Sequence, residues 1–449
     1  MMRDFARSIV EKLRGHGFQA YFVGGCVRDL LLGREPKDYD VATDATPRQV
    51  MDILPETYAV GAQFGVVLVP APQADFDDVP RDASAKSRAV EVATFRSDIG
   101  YSDGRHPDEV RFSNTPQEDV ARRDFTINGM LLDPVNGEVL DFVGGREDLR
   151  AGIIRTIGDP AQRFAEDKLR MLRAARFAAR FEYAIEPDTF AAIQQLAEQI
   201  RVVSRERVRD ELTRMLTEGH ARRAFQLLDQ SGLLTQVLPE ISAMKGVEQP
   251  AEFHPEGDVF VHTLLLLDHL PHPCPMTLAW GALLHDVGKP PTFQVAERIR
   301  FDGHVDVGVK MAEAICVRFR FSKEETAQIL ALVDNHMRFA DAMRMNQSTL
   351  KKFMRLRCFD EHMALHRADC LASHRNLATY EFLRKKMEEI PVEKMRPVPL
   401  VTGDDLIAEG HVPGPKFREI LSAVEDAQLE GRLGSRDAAL EFVRREFPA

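Results

Sequence analysis

The opening stretch, MMRDFARSIVEKLRG, mixes apolar and charged positions as an amphipathic helix does. Residues 20–23 (AYFV) form a short apolar run that stops at Gly24-Gly25, and a helical pattern follows through Leu30, Leu31 and Leu32. A strand, a glycine turn and a helix in that order suit phosphate binding, because the first amide N–H groups of a helix have no partner within it. Strand-like runs recur at 64–70 (FGVVLVP), 90–95 (VEVATF) and 139–143 (VLDFV). Between the first two, 71–89 is rich in Ala, Asp, Pro and Ser and reads as a flexible excursion at a hairpin tip. From about residue 160 onward strand signals nearly vanish, and the periodicity predicts helices over 163–181, 187–200, 204–217, 219–230, 258–270, 276–285, 306–319, 322–336 and 347–356. The Pro-rich 271–275 is a loop, 390–401 (IPVEKMRPVPLV) a linker, and 402–446 two helices about a Gly/Pro turn at 410–415. No repeat at a fixed period is visible. The fold class expected is α+β: an α/β head followed by an all-helical remainder.

Composition narrows this little. A chain of 449 residues, 44% hydrophobic and 29% charged, is an ordinary globular one with two to four domains. It has no apolar run of roughly 18 residues, and its start lacks the apolar core and cleavage site of a secretion signal, so a cytoplasmic protein without membrane contact is expected. Cys26, Cys274, Cys316, Cys358 and Cys370 are scattered, odd in number and free of C-x-x-C pairs, which argues against a disulfide framework or a zinc knuckle and fits a reducing cytoplasm. The net charge of −11 speaks against a basic coat for indiscriminate RNA binding, while leaving room for basic residues gathered on one face.

The candidate chemistry begins after the first glycine turn. Asp38 and Asp40 are two apart, a spacing that sends strand side chains to one side. Carboxylates held so close repel unless a cation lies between them, and Mg2+ suits such all-oxygen sites. Glu91, on the run 90–95, is the natural third carboxylate if its strand pairs beside them. These catalytic candidates suggest two-metal phosphoryl transfer, an RNA 3′-hydroxyl attacking the α-phosphate of a nucleoside triphosphate. The backbone at Gly24 and Gly25, with Arg28 a turn later, would hold the triphosphate. In the next helical stretch Asp167 and Arg170 are three apart and share a face, with Arg173 and Arg176 continuing it. An Asp offers acceptors and an Arg a planar donor fork, so the pair can meet the Watson–Crick edge of a base; the same pair can also simply stabilise a helix.

Residues 23–46, VGGCVRDLLLGREPKDYDVATDAT, resemble the signature of the class II tRNA nucleotidyltransferase and bacterial poly(A) polymerase family. Four further segments resemble it in the family's order: 90–96 (VEVATFR), 122–130 (RRDFTINGM), 141–149 (DFVGGREDL) and 166–178 (EDKLRMLRAARFA). The likeness is dense over residues 18–215 and looser beyond. It implies a polymerase beta-like head and nucleotide contacts from Arg123, Asp124 and Asn128. It also implies a protein template in Asp167 and Arg170 that chooses C or A, with Arg173 and Arg176 on the triphosphate. The implied partners are tRNA, CTP and ATP. Gly129 stands where the family usually has Ala, and the 71–89 excursion is longer than is common there.

A second constellation lies further on. His262, His285-Asp286, His304, His336 and Asp369 are ligand types that suit a catalytic divalent metal, whereas His269, His272 and His362 read as satisfied core histidines. The ordered set resembles the HD phosphohydrolase superfamily in its two-metal version. The resemblance implies an Mn2+, Ni2+ or Fe2+ site and hydrolysis of 2′,3′-cyclic or terminal phosphates. The expected division is a nucleotidyltransferase head at 1–145, neck and body at 146–250, an HD domain at 251–389 and a helical tail at 390–449. Two basic clusters, Arg205, Arg207, Arg209 and Arg214, then Arg344, Lys351, Lys352, Arg355 and Arg357, are candidates for phosphate contact or simply solvated faces. Four activities stay open: CCA addition, poly(A) synthesis, addition of CC or A alone, and HD hydrolysis with a head that only binds nucleotide.

Overall fold

A computed structural model describes residues 1–54, 56–58, 65–71, 89–99, 109–252 and 254–448. Nearly all of the expected 71–89 excursion lies outside the described residues. The chain divides into two compact units, one of Met1–Met215 with Arg223–Leu238, the other of Leu216–Arg222 with Pro239–Ala449. No described helix is long and apolar enough to cross a membrane.

In the first unit the alternating runs become a mixed sheet. Its strands are β1 (Ala20–Val23), β2 (Asp40–Thr43), β3 (Val66–Pro70), β4 (Ala89–Thr94), β7 (Met130–Leu132) and β8 (Val139–Asp141), in the order β3-β4-β2-β1-β7-β8. Between them, β5 (Arg96–Ile99) and β6 (Glu109–Phe112) pair as a separate hairpin. Only β2 and β4 run parallel; the other neighbours in the sheet are antiparallel. Being internal, β1 buries Ala20, Phe22 and Val23. The helix Met2–Gly15 lays Ala6, Ile9, Val10 and Leu13 inward, the spacing of one helical face. Val23, Ala42, Phe95, Val120, Leu131 and Ile157 pack into one apolar cluster.

The expected helix 163–181 is two helices, Pro160–Glu166 and Leu169–Phe181. Asp167 breaks it: its backbone is extended (φ −142°, ψ 104°), and its carboxylate accepts a hydrogen bond from the Leu169 amide at 3.1 Å. A short acid that bonds to nearby backbone competes with helix propagation and favours such a boundary. Asp159 acts in the same way at the start of the preceding helix, accepting from the Gln162 amide at 2.8 Å.

The second unit is helical, as the periodicity predicts. Val259–Asp268, Met276–Leu284, His304–Arg318 and Lys323–Asn335 correspond to expected helices. Phe359–Ala372 and Ala378–Glu389 add two that the pattern does not single out, and a small antiparallel hairpin joins Gln294–Val295 to Ile299–Arg300. The tail holds three helices rather than two: Gly403–Ala408, Pro415–Leu429 and Arg436–Glu446. Val401, Leu406, Ile420, Val424, Leu440 and Val443 form their shared core.

Candidate active site and candidate metal centre

Three segments of the head meet at the turn after β1. Gly24 has φ 77° and ψ −136°, a conformation closed to most side chains. A Cβ there would lie 3.3 Å from Arg123 Nη1 and 3.7 Å from Asp40 Oδ2, so the glycine leaves a cradle flanked by a cation and a carboxylate. Asp40 opens β2, and the parallel register sets it opposite Glu91 on β4. Tyr39 is buried while Asp38, just before it, is exposed. Among the described residues, ligand-type groups with donor atoms all within 4.8 Å of one another occur only in the helical unit. Asp40 and Glu91 are thus register partners on adjacent strands, and Asp38 precedes Asp40 by two residues.

The surrounding arginines are held by acids. Asp119, fully buried, accepts Arg122 on Oδ1 (3.0 and 2.6 Å) and Arg123 on Oδ2 (3.2 and 2.8 Å). Burial alone would raise its pKa, but the two guanidiniums hold it below the usual carboxylate range. Sequence reasoning misses Asp119; its only signal is its spacing of three and four from the Arg pair. Asn128 Nδ2 donates to Asp124 Oδ1 at 3.1 Å, and Asp124 Oδ2 accepts from Arg173 Nε and Nη2 at 2.9 and 2.6 Å. Gly25 starts the helix Gly25–Leu31 beside Arg28 Nη2.

Several of the expected contact residues have protein partners in this structure. Arg28 is 4% exposed and donates to Asp29 (2.9 Å) and Asn128 (2.6 Å), with its guanidinium 4.6 Å above the Phe181 ring; it props Asn128 instead of facing solvent. Arg176 is equally buried, donates to Glu211 at 2.6 Å and lies over Phe177. Asp167 and Arg170 do not share a helical face, since Asp167 precedes the helix. Asp167 accepts both Nη atoms of Arg207 (3.2 and 2.7 Å), and Arg170 donates to Glu166 at 2.8 Å and to the Arg122 carbonyl at 2.9 Å. The basic clusters are partly neutralised as well: Arg209 pairs with Asp210, Lys352 with Asp426 and Arg355 with Glu425.

In the helical unit the expected ligands converge in two groups: His262, His285 and Asp369, and Asp286, His304 and His336. Nδ1 of His285, His304 and His336 lies 2.8, 2.9 and 2.7 Å from the carbonyls of Ala282, Phe301 and Val333. Nδ1 of His262 lies 2.6 Å from Glu256 Oε1. A carbonyl or carboxylate at Nδ1 fixes the N–H there and leaves Nε2 as a lone pair. All four Nε2 atoms are buried without a hydrogen-bond partner in the structure. His262 Nε2 and His285 Nε2 do lie 3.1 and 3.0 Å from oxygens of Asp369 and Asp286, close contacts that lack hydrogen-bond alignment. Buried imidazole lone pairs beside carboxylates are the donor set of a divalent cation.

The electrostatics agree for His304 and His336 and set His262 apart. Burial would raise Asp286, but His285, Lys289 and His336 hold it well below the carboxylate range. Burial pushes His336 down to about 4 and also lowers His304, which keeps both neutral near pH 7. For His262 burial acts downward too, yet its contacts with Asp369 and Glu256 prevail and raise it to about 9, so near pH 7 its Nε2 keeps a proton that a bound cation must displace. Glu256, His254, Lys289 and Gln249 escape sequence reasoning. Glu256 Oε1 also accepts His254 Nδ1, at 2.9 Å, and Lys289 Nζ lies 2.7 Å from Asp286 Oδ2 and donates to Gln249 at 2.7 Å. Their segments carry no periodicity that would mark them.

Comparison with known proteins follows the same division. Residues 20–155 match the family described as the Poly A polymerase head domain, 182–245 the probable RNA and SrmB-binding site of polymerase A, and 259–391 the HD domain. A CCA-adding enzyme of Geobacillus stearothermophilus is 44% identical over 228 residues, 51% of this chain, and the match spans only about half (53%) of that relative's length. One from Bacillus pumilus is 31% identical over 96% of this chain and 94% of its own. The crystal structure of Bacillus stearothermophilus CCA-adding enzyme in complex with CTP superposes with a TM-score of 0.74 at 28% identity, covering 98% of this chain and 97% of that one. With head, RNA-binding segment and HD domain in one order and the likeness running nearly end to end, the chain belongs to the CCA-adding enzyme family of tRNA nucleotidyltransferases.

Proposed function

We propose that this protein adds CCA to tRNA 3′-ends from CTP and ATP, and that its HD domain hydrolyses phosphates at RNA 3′-ends. The observation that carries the CCA-adding activity is Asp40 set opposite Glu91 beside the open Gly24 turn, in a chain whose relatives are named CCA-adding enzymes. The division into head, neck and body, HD domain and tail, and a cytoplasmic setting, belong to the same reading.

Asp38, Asp40 and Glu91 would hold Mg2+, for which all-oxygen ligands and an unfilled glycine cradle are suited. Bound there, Mg2+ supplies the charge neutralisation that phosphoryl transfer needs. The 3′-oxygen of the RNA bonds to the α-phosphorus, the bond to pyrophosphate breaks, and the hydroxyl proton leaves to a base or water. The backbone at Gly24 and Gly25 faces the triphosphate, and Arg123, kept in place by Asp119, adds a positive charge. Asp124 and Asn128 contact the nucleotide from the turn that Arg28 and Arg173 brace. Asp167 and Arg170 read the base edge, Asp167 exchanging Arg207 for the base when nucleotide arrives.

In the HD domain, His262, His285, Asp286, His304, His336 and Asp369 would hold a divalent transition metal such as Mn2+, Ni2+ or Fe2+, which fits their orphaned imidazole nitrogens. Such a metal supplies Lewis acidity for hydrolysis of a phosphoester. Water oxygen bonds to phosphorus, one ribose oxygen departs, and the proton passes to that oxygen.

Offering tRNA that ends before CCA, tRNA ending in CC, or generic RNA, with CTP, ATP or both, tests the head. Three additions support the proposal; a long A tail identifies a poly(A) polymerase, and one or two additions a partial enzyme. For the HD domain, equal Mn2+-dependent hydrolysis of 2′,3′-cyclic AMP by wild type and by the His285→Ala, Asp286→Ala variant would refute the hydrolase reading.

A further inference from the structure

The loop that leads into Asp38 and Asp40 carries charge of its own. It reads Gly33-Arg34-Glu35-Pro36-Lys37, and Arg34, Glu35 and Lys37 are exposed. The Arg34 amide donates to the Asp29 carbonyl at 2.9 Å, which ties the loop to the helix Gly25–Leu31. The Arg34 guanidinium reaches the ring of Phe181, the last residue of the helix Leu169–Phe181, with Cζ 5.7 Å from the centroid. Arg28 and Arg180 lie over the same ring, at 4.6 and 5.3 Å. One phenyl group therefore gathers three guanidiniums, two from the glycine-turn region and one from its own helix. Burial lowers the pKa of Arg28, Asp29 raises it, and the Arg180 charge adds to the lowering, so these cations feel one another.

The three differ in what they have left to give. Arg28 is buried and paired with Asp29 at 2.7 Å. Arg180 is half-buried and Arg34 exposed, and Arg34 makes no ion pair among the described residues. Of the other acids in these two stretches, Glu35 accepts the Tyr39 hydroxyl at 3.0 Å and Glu182 follows Phe181. A guanidinium stacked on a ring keeps its N–H edge for a phosphate. Arg34 stands four residues before Asp38. An RNA strand whose 3′-oxygen reaches Asp38 and Asp40 lays its preceding phosphates over the neighbouring surface, and this loop is the adjoining segment. We propose that Arg34 and Arg180, seated on Phe181, clamp a phosphodiester of the RNA strand close behind its reacting 3′-end. This rests on the nucleotidyl-transfer reading and goes beyond it by naming a contact with the strand's backbone, not with the nucleotide. Arg34 and Arg180 are positioning residues, since they touch the strand and not the reacting atoms.

The test uses the full-length protein with Mg2+, CTP and tRNA that ends before CCA, in which one of the last three phosphodiesters is replaced by an uncharged methylphosphonate. The wild type is expected to lose about fivefold or more in kcat/KM for tRNA when the clamped linkage is neutralised, and little at the other two. The Arg34→Ala, Arg180→Ala variant shows a similar loss on unmodified tRNA, mainly through KM, and its binding falls less steeply with salt, by about one in the logarithmic slope. It is indifferent to the methylphosphonate that hurts the wild type, a result that a merely structural role for the arginines would not produce. The Arg34→Lys, Arg180→Lys variant recovers part of the loss, because the charge stays and the planar fork does not. A wild type indifferent at all three linkages, or an alanine variant as sensitive as wild type, overturns the clamp, while CMP incorporation upholds the transfer reading. A rise in KM for CTP in place of tRNA assigns the arginines to the triphosphate and overturns it too. A wild type that incorporates no CMP into any of these tRNAs overturns both readings.

Discussion

Replacing Gly24 by alanine adds one methyl group where the head is most crowded with charge. At φ 77° and ψ −136° the backbone lies in a region that a residue with a Cβ occupies at a cost of about 1–3 kcal/mol. The methyl would also sit 3.3 Å from Arg123 Nη1, a contact that asks the guanidinium to move by a few tenths of an ångström. Arg123 has little freedom to do so, because Asp119 grips its Nε and Nη2 at 3.2 and 2.8 Å. If the strain is relieved by shifting the turn, the same 1–3 kcal/mol appears as a loss of about 5- to 150-fold in kcat/KM for CTP, at ~1.4 kcal/mol per factor of ten. Single-turnover incorporation of CMP into tRNA that ends before CCA measures it. Gly33→Ala is the control: φ there is 68°, so the backbone is also strained, but a Cβ meets nothing within 4 Å. It should lower stability by about 1 kcal/mol and leave incorporation unchanged. If Gly24→Ala incorporates CMP as fast as wild type, the turn is not a phosphate cradle.

Other consequences can be measured directly. Glu256→Ala frees the His262 imidazole to rotate and should weaken Mn2+ binding about 10- to 100-fold by calorimetric titration, with Glu256→Gln in between; equal affinities would mean the carboxylate does not orient the ligand. Asp167→Ala should relax the choice between CTP and ATP while pyrophosphate release continues, and unaltered selectivity would remove the template assignment. Asp119→Ala leaves Arg122 and Arg123 without their buried acceptor and should destabilise the head by about 3 kcal/mol or more in chemical denaturation. The folded pKa of Asp119 is depressed below the unfolded value of about 3.9, so its contribution is complete above that pH and fades as pH falls. Wild type should accordingly lose more stability than the Asp119→Ala variant between about pH 5 and pH 3.

Much of this architecture is legible in the chain, and the misreadings share a cause. The run AYFV before Gly24-Gly25 identifies β1 and its turn because hydrophobic alternation and glycine placement are local properties. The pairing of Asp40 with Glu91 is a register between strands far apart in sequence, and it follows from the family resemblance. Asp167 sits between two good helical stretches, and periodicity cannot show that its carboxylate bonds to the backbone two residues on. Arginines usually face outward, and sequence patterning gives Arg28 and Arg176 no sign of burial. Each is instead buried over an aromatic ring beside a carboxylate, a partnership made only by the folded chain. The His and Asp residues that meet in the helical unit stand out in the sequence because metal-ligand chemistry restricts residue type. Glu256 and Lys289, which contact His262 and Asp286, carry no such mark.

The central claim is that Asp38, Asp40 and Glu91 hold the catalytic Mg2+. Incorporation of CMP and AMP into tRNA lacking its 3′-end, followed at saturating CTP and ATP in the Asp40→Ala variant, tests it most directly. A fall of roughly a thousandfold, equivalent to about 4 kcal/mol of barrier, with tRNA affinity and folding unchanged is the predicted result. Incorporation at the wild-type rate would contradict the account.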